Sequence, residues 1–104
     1  MNSITPRELK QKIEQGGQIL LIDVREENER ALCHIGGTHI PLAQIPSRAA
    51  EIPNEGSVVI YCRSGGRSGK AIEYLESLGY KNLQNLAGGI LRWSDEVDSS
   101  VVKY

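Results

Sequence analysis

Apolar positions along this chain of 104 residues fall into two kinds of pattern. Ile19-Leu20-Leu21-Ile22 and Val58-Val59-Ile60-Tyr61 are continuous apolar runs. Unbroken by alternation, they predict strands over Gln18–Asp23 and Ser57–Tyr61 that are buried on both faces, as in a parallel sheet. Elsewhere the spacing is helical. Thr5-Pro6-Arg7-Glu8 reads as a helix start, with Thr5 as N-cap, Pro6 in the first turn and Glu8 closing a capping box. Leu9 and Ile13 give that helix its buried stripe, and Gly16-Gly17 ends it. Glu26 to Leu32 is polar and helix-prone, Gly36-Gly37 breaks it, and Thr38 to Pro41 is a short extended piece. Pro46 and Pro53 bracket a short helix, Ser47 to Ile52. Gly69 to Leu78 is amphipathic, with Ala71, Ile72, Leu75 and Leu78 on one face, and ends at Gly79. Asn82 to Leu86 is a last strand, after which Gly88-Gly89 opens a helix carrying Ile90, Leu91 and Trp93. Strand and helix alternate, which predicts a three-layer α/β domain around a parallel sheet. With no repeat, low-complexity tract or linker, residues 1–104 read as one domain, and the tail Asp95 to Tyr104 is expected to be partly disordered.

Composition narrows the class. Hydrophobic content of 39% and charged content of 24% describe a globular chain. A net charge of −1 gives no whole-molecule attraction to nucleic acid or to a membrane, so electrostatic recognition must be local. No apolar run approaches the roughly 18 residues of a membrane span, and Met1 to Lys10 lacks the basic-then-apolar order of a signal peptide. Two cysteines, Cys33 and Cys62, are too few to staple a secreted domain. With His34 and His39 they do not reach a zinc-site spacing, so no metal is expected. A reducing cytoplasm suits a working thiol.

The chemistry concentrates in Val58-Val59-Ile60-Tyr61-Cys62-Arg63-Ser64-Gly65-Gly66-Arg67-Ser68. A strand, a glycine-rich loop and a helix N-terminus make an anion cradle, because backbone N–H groups and the helix dipole converge there. A cysteine placed first in that cradle favours its thiolate and is a candidate nucleophile. Gly65 and Gly66 let the backbone turn its N–H groups inward, and they also serve as plain turn residues. Arg63 and Arg67 read as anion contacts rather than as ordinary surface charges. Spacing separates reaction classes. A cysteine-dependent phosphatase loop needs C-x5-R, whereas Cys62 and Arg67 give C-x4-R and Ser68 stands where that arginine would be. A loop one residue short suits something smaller than phosphate, such as the single outer sulfur of a persulfide.

At these residues the chain resembles the rhodanese (sulfurtransferase) family. The resemblance runs through Leu21-Ile22-Asp23-Val24-Arg25-Glu26, His34-Ile35-Gly36-Gly37-Thr38-His39-Ile40-Pro41-Leu42, the Cys62 loop, and Asn85-Leu86-Ala87-Gly88-Gly89-Ile90-Leu91-Arg92-Trp93. Trp93 to Asp98 is similar to the rhodanese domain of fused adenylyltransferase–sulfurtransferase proteins, which activate a small sulfur-carrier protein. The resemblance implies a five-stranded parallel sheet flanked by helices, a Cys62 that alternates between thiolate and persulfide, and no cofactor. The chain departs from the family pattern at Cys33 and Gly36, where Gly-His-Ile-Pro-Gly is usual. Cys33 is then either a bystander or a resolving thiol that relieves the Cys62 persulfide as a disulfide.

The favoured expectation is sulfur transfer. Cys62 takes a sulfane sulfur from a small donor such as thiosulfate, the loop of Arg63, Ser64, Gly65, Gly66, Arg67 and Ser68 holds it, and a thiol, a sulfur-carrier protein or cyanide accepts it. The rivals are a rhodanese-like binding or relay module for a protein partner, and a thiol-based reductase or phosphatase. Asp23 and Arg25 are expected to tie a strand end to neighbouring backbone, with a place beside the active site as the alternative. His34 is expected to be an oriented hydrogen bonder.

Overall fold

The computed structural model describes residues 1–104. In chain order its elements are β1 (Asn2–Ile4), α1 (Pro6–Glu14), β2 (Ile19–Asp23), α2 (Glu27–Leu32), β3 (Thr38–His39), α3 (Ile45–Arg48), β4 (Ser57–Tyr61), α4 (Gly66–Ser77), β5 (Leu83–Leu86) and α5 (Gly89–Glu96), with single 3-10 turns on either side of α3. The five strands form one parallel sheet in the order β1-β5-β4-β2-β3. The α/β architecture and the five-stranded parallel sheet agree with the sequence expectation.

The two continuous apolar runs explain the layers. Residues of β4 alternate between opposite faces of the sheet. Val58, Ile60 and the following Cys62 pack with Ile22, Val24, Ile45, Ile72 and Leu75, which places α3 and α4 on that side. Val59 and Tyr61 pack with Ile4, Leu9, Leu86 and Ile90, which places α1 and α5 on the other. A strand covered on both faces needs apolar residues at every position, and each fully buried Val, Ile or Leu contributes about 1.5–3 kcal/mol. The capping box of α1 forms as its residues predict: Glu8 N–H donates to Thr5 Oγ1 at 3.1 Å and Thr5 N–H to Glu8 Oε1 at 2.9 Å. No helix is long and apolar enough to cross a membrane.

The structure departs from the sequence reading in several places. The short helix is α3 at Ile45–Arg48, with Pro46 in its first turn, followed by a 3-10 turn, rather than a helix over Ser47 to Ile52. Ile13, expected in the buried stripe of α1, is exposed, because it lies at the helix end, and Leu9 alone of the pair is covered. β1 carries no apolar run; it is an edge strand paired only with β5, and Ile4 alone is buried. The helix after the Cys62 loop starts at Gly66 rather than at Gly69, because Gly65 takes a left-handed conformation (φ +112°) and ends the turn early. The tail is folded. Asp95 and Glu96 lie in α5, Ser94 Oγ donates to the Val101 carbonyl at 2.6 Å, and Val101 and Tyr104 pack against the α1/α5 side of the sheet.

Candidate active site

Cys62 is the first residue past β4, at the carboxyl end of the central strand, where parallel sheets gather their ligands. Its side chain turns toward the start of α4. Cys62 Sγ accepts the Gly65 N–H at 3.0 Å and lies 3.3 Å from Ser68 Oγ. The cysteine is buried, at 1% exposure. Burial alone pushes the thiol up. Hydrogen bonds from the Ser68 hydroxyl and from the N–H groups of Ser68, Gly65 and Ser64 outweigh it, so the Cys62 pKa is lowered. Gly66 and Arg67, as the first residues of α4, have N–H groups with no intrahelical acceptor. They add to the positive potential at the helix N-terminus.

The other side of this turn is held from α5. Ile90 N–H donates to the Cys62 carbonyl at 3.0 Å and Leu91 N–H to the Arg63 carbonyl at 3.2 Å. With the carbonyls fastened outward to α5, the N–H groups of the turn face the sulfur. Gly89 makes that approach possible: it has φ +60°, and a β-carbon there would meet the Arg63 carbonyl oxygen at 2.4 Å.

The two loop arginines are engaged within the chain. Arg67, on the first turn of α4, forms a bidentate pair with Glu29 of α2, at 2.5 and 2.8 Å. This pair holds the Glu29 carboxyl at about 2, burial opposing the shift and a hydrogen bond from the Tyr104 hydroxyl reinforcing it. Arg63 donates from Nε and Nη2 to the backbone oxygen of Tyr104, and its guanidinium lies over the Tyr104 ring, 5.2 Å from the centroid. Tyr104 in turn donates its hydroxyl to Glu29 at 2.6 Å and accepts from Arg25 Nη1 at 3.0 Å. The tail thus reaches the rim of the Cys62 turn.

Asp23 and Arg25 form a fully buried frame next to this rim. Arg25 Nε and Nη2 donate to the two Asp23 oxygens, each at 2.9 Å, and Nη2 also reaches the Cys33 carbonyl at 2.6 Å. Burial pushes the Asp23 carboxyl up, but the Arg25 hydrogen bonds outweigh it and the net shift is downward. His34 Nδ1 accepts the Gly36 N–H at 2.9 Å. His39 Nε2 donates to the Arg25 carbonyl at 2.6 Å, since a carbonyl can only accept. Cys33 packs with the cluster of Val59 and Tyr61, whereas Cys62 belongs to the cluster on the opposite face. No three His, Cys, Asp or Glu side chains come together as a metal-ligating group.

The residues picked out from sequence, Cys62 to Ser68, therefore form one compact turn and helix start. Ser68 is not at its rim but inside it, fully buried against the sulfur. Sequence reasoning missed Glu29, Tyr104 and Asn85. Glu29 had a legible local role, since it accepts the Glu26 N–H at 3.1 Å from the third position of α2, but nothing local announced its partner 38 residues away. Tyr104 lay in a stretch read as loose. Asn85 lies in the segment Asn85 to Trp93, where an asparagine in a strand carries no local signal of a role.

The site this α/β protein presents is a buried cysteine at the carboxyl end of the central parallel strand, accepting a backbone N–H. The chain belongs to the rhodanese-like sulfurtransferase family: residues 5–96 match the Rhodanese-like domain. It is 41% identical over 95 residues to a sulfurtransferase of Allochromatium vinosum, covering 90% of this chain and 89% of that one. It is 35% identical over 106 residues to the probable adenylyltransferase/sulfurtransferase MoeZ of Mycobacterium tuberculosis, covering 99% of this chain but only 27% of that protein. Among solved structures, the human single-domain sulfurtransferase TSTD1 superposes with a TM-score of 0.80 at 26% identity, covering 92% of this chain and 97% of that one.

Proposed function

We propose that residues 1–104 act as one unit that transfers sulfane sulfur through a persulfide on Cys62. The Cys62 thiolate attacks the outer sulfur of a donor such as thiosulfate. A bond forms between Sγ and that sulfur, the bond from that sulfur to the sulfonate breaks, and its electron pair leaves with sulfite. The outer sulfur carries the charge and is held by the N–H groups of Ser64, Gly65, Gly66, Arg67 and Ser68 together with the α4 dipole. A nucleophilic acceptor, a thiol in the cell or cyanide in an assay, then attacks the outer sulfur and releases Cys62 as the thiolate. This is covalent catalysis in two half-reactions, with no cofactor. Arg63 and Arg67 frame the mouth of the turn but are held by the Tyr104 backbone oxygen and by Glu29, so the turn N–H groups and the α4 dipole are what meet an anionic donor. Two unpaired cysteines suit a reducing, cytoplasmic setting.

The observation that carries this reading is the Gly65 N–H donated to a buried Cys62 Sγ at 3.0 Å, beside the Ser68 hydroxyl. A structural cysteine needs no such donors; a nucleophile that must carry negative charge in a buried place does. A second reading, relay to a sulfur-carrier protein, is favoured by the similarity to the MoeZ protein over 99% of this chain. The two share the Cys62 step and differ in the acceptor. Cys62→Ser tests the shared step. The hydroxyl cannot form a persulfide, so transfer from thiosulfate to cyanide should be abolished while the circular dichroism spectrum is unchanged. Substantial residual transfer in the serine variant sinks the mechanism.

A further inference from the structure

Ser68 has one hydroxyl proton and three acceptors within reach. Its oxygen is 3.3 Å from Cys62 Sγ, 3.2 Å from the Gly65 carbonyl oxygen and 2.6 Å from Asn85 Oδ1. The Asn85 amide is oriented by its other end. The Gly65 carbonyl can only accept, so the atom facing it at 3.1 Å must be Nδ2, and Oδ1 is left facing Ser68. Two oxygens 2.6 Å apart require a proton between them, and only Ser68 has one to give. While Cys62 is a thiol, the Ser68 proton therefore lies toward Asn85, and a lone pair of Ser68 is free to accept the S–H. A thiolate reverses the demand. The sulfur then has charge and no proton, and a charge-assisted bond draws the Ser68 proton toward it. Asn85 Oδ1 is left against a bare oxygen, an acceptor without a donor.

We propose that Asn85 is a positioning residue for Cys62: it competes with the sulfur for the single Ser68 proton while its Nδ2 anchors the Gly65 peptide. Asn85 is well placed to do so. It sits on β5 in register with Ile60 of β4, two residues before Cys62, so the device is fixed to the sheet and not to a loop. The Gly65 carbonyl that it anchors belongs to the residue whose N–H meets the sulfur. Through this residue β5 sets how readily the Cys62 thiol gives way to the thiolate. The inference rests on the reading of Cys62 as the sulfur-carrying nucleophile.

The test is the pH dependence of Cys62 alkylation by iodoacetamide, read on the Cys62 peptide by mass so that Cys33 does not contribute. Arg67 on α4 with its partner Glu29 from α2, Arg63 in the turn and Tyr104 from the tail are the charged and titratable groups around the turn, and they are common to every variant. Asn85→Leu removes the competing acceptor and should lower the alkylation midpoint by about half a pH unit, the opposite of what a loosened cradle would do. Asn85→Asp keeps the shape, pulls harder on the Ser68 proton and should raise the midpoint by about one unit. In a Ser68→Ala background both shifts should shrink by at least half. A midpoint that rises or stays put in Asn85→Leu, or shifts of equal size with and without the Ser68 hydroxyl, overturns the proposal. If Asn85→Leu fails to fold by circular dichroism, the Asn85→Asp pair decides alone by the same comparison. Failure of wild-type Cys62 to take up sulfur from thiosulfate would instead overturn the sulfurtransferase reading, and the alkylation profiles would still decide on Asn85.

Discussion

A β-carbon on Gly89 would stand 2.6 Å from the carbonyl oxygen of Cys62. The start of α5 and the turn after β4 are therefore in direct backbone contact, and the N–H groups of Ile90 and Leu91 use that contact to fasten the carbonyls of Cys62 and Arg63. Gly89→Ala must push the two apart and also strain a residue at φ +60°. The variant should lose on the order of 1–3 kcal/mol of stability and most of its sulfur transfer. Urea unfolding and the thiosulfate–cyanide assay measure both. Wild-type values in both would show that the contact is slack.

The Glu29–Arg67 pair predicts an acid-sensitive contribution. Glu29 titrates near 2 in the folded protein, well below its ordinary 4.5. A carboxylate lowered by folding stabilises the native state above its unfolded value and loses that effect as the pH falls toward the folded one. Glu29→Gln should therefore be less stable than wild type at neutral pH, by on the order of 2 kcal/mol. The gap should close as the pH is taken from about 4.5 down to about 2. Urea unfolding across that window measures it, and a gap independent of pH contradicts the pairing.

Tyr104→Phe removes the hydroxyl shared by Glu29 and Arg25 but leaves the ring over Arg63. The variant should lose about 0.5–1.5 kcal/mol, and the amides of residues 101–104 should exchange with solvent faster. Unchanged exchange there would mean that the tail is held by its apolar contacts alone.

Much of this molecule was legible because its signals are local. The unbroken Leu21-Ile22 and Val59-Ile60 runs mark strands covered on both faces, and the Thr5–Glu8 capping box formed as its residues predict. Cys62 followed by two glycines identified the turn. What was hidden depends on partners distant in sequence. β1 is three residues long and too short to show a period. The tail holds to the fold through Ser94, Arg25 and Arg63, none of which lies within the stretch that reads as loose. Arg67 reads as an open anion contact only until α2 brings Glu29 to it. Asn85 reveals nothing as a letter in a strand; its place beside Ser68 comes from the β4–β5 register.

Cys33 and Cys62 lie in clusters on opposite faces of the sheet, and Cys33 Sγ is 3.3 Å from the Val102 carbonyl. A disulfide needs the two Cα atoms within about 7 Å and their side chains directed toward each other. Cys33→Ala should leave the sulfur-transfer rate and the lifetime of the sulfur-loaded protein unchanged. Mild peroxide followed by thiol mapping should yield no Cys33–Cys62 bridge; such a bridge in good yield would make Cys33 a resolving thiol.

Sulfur loading tests the central claim most directly. Purified protein is treated with thiosulfate, freed of excess reagent, and digested for peptide mass measurement without reductant. The account predicts a gain of one sulfur atom on the peptide that contains Cys62, lost again on addition of cyanide with release of thiocyanate. No gained sulfur, or a sulfur carried on the Cys33 peptide, contradicts it.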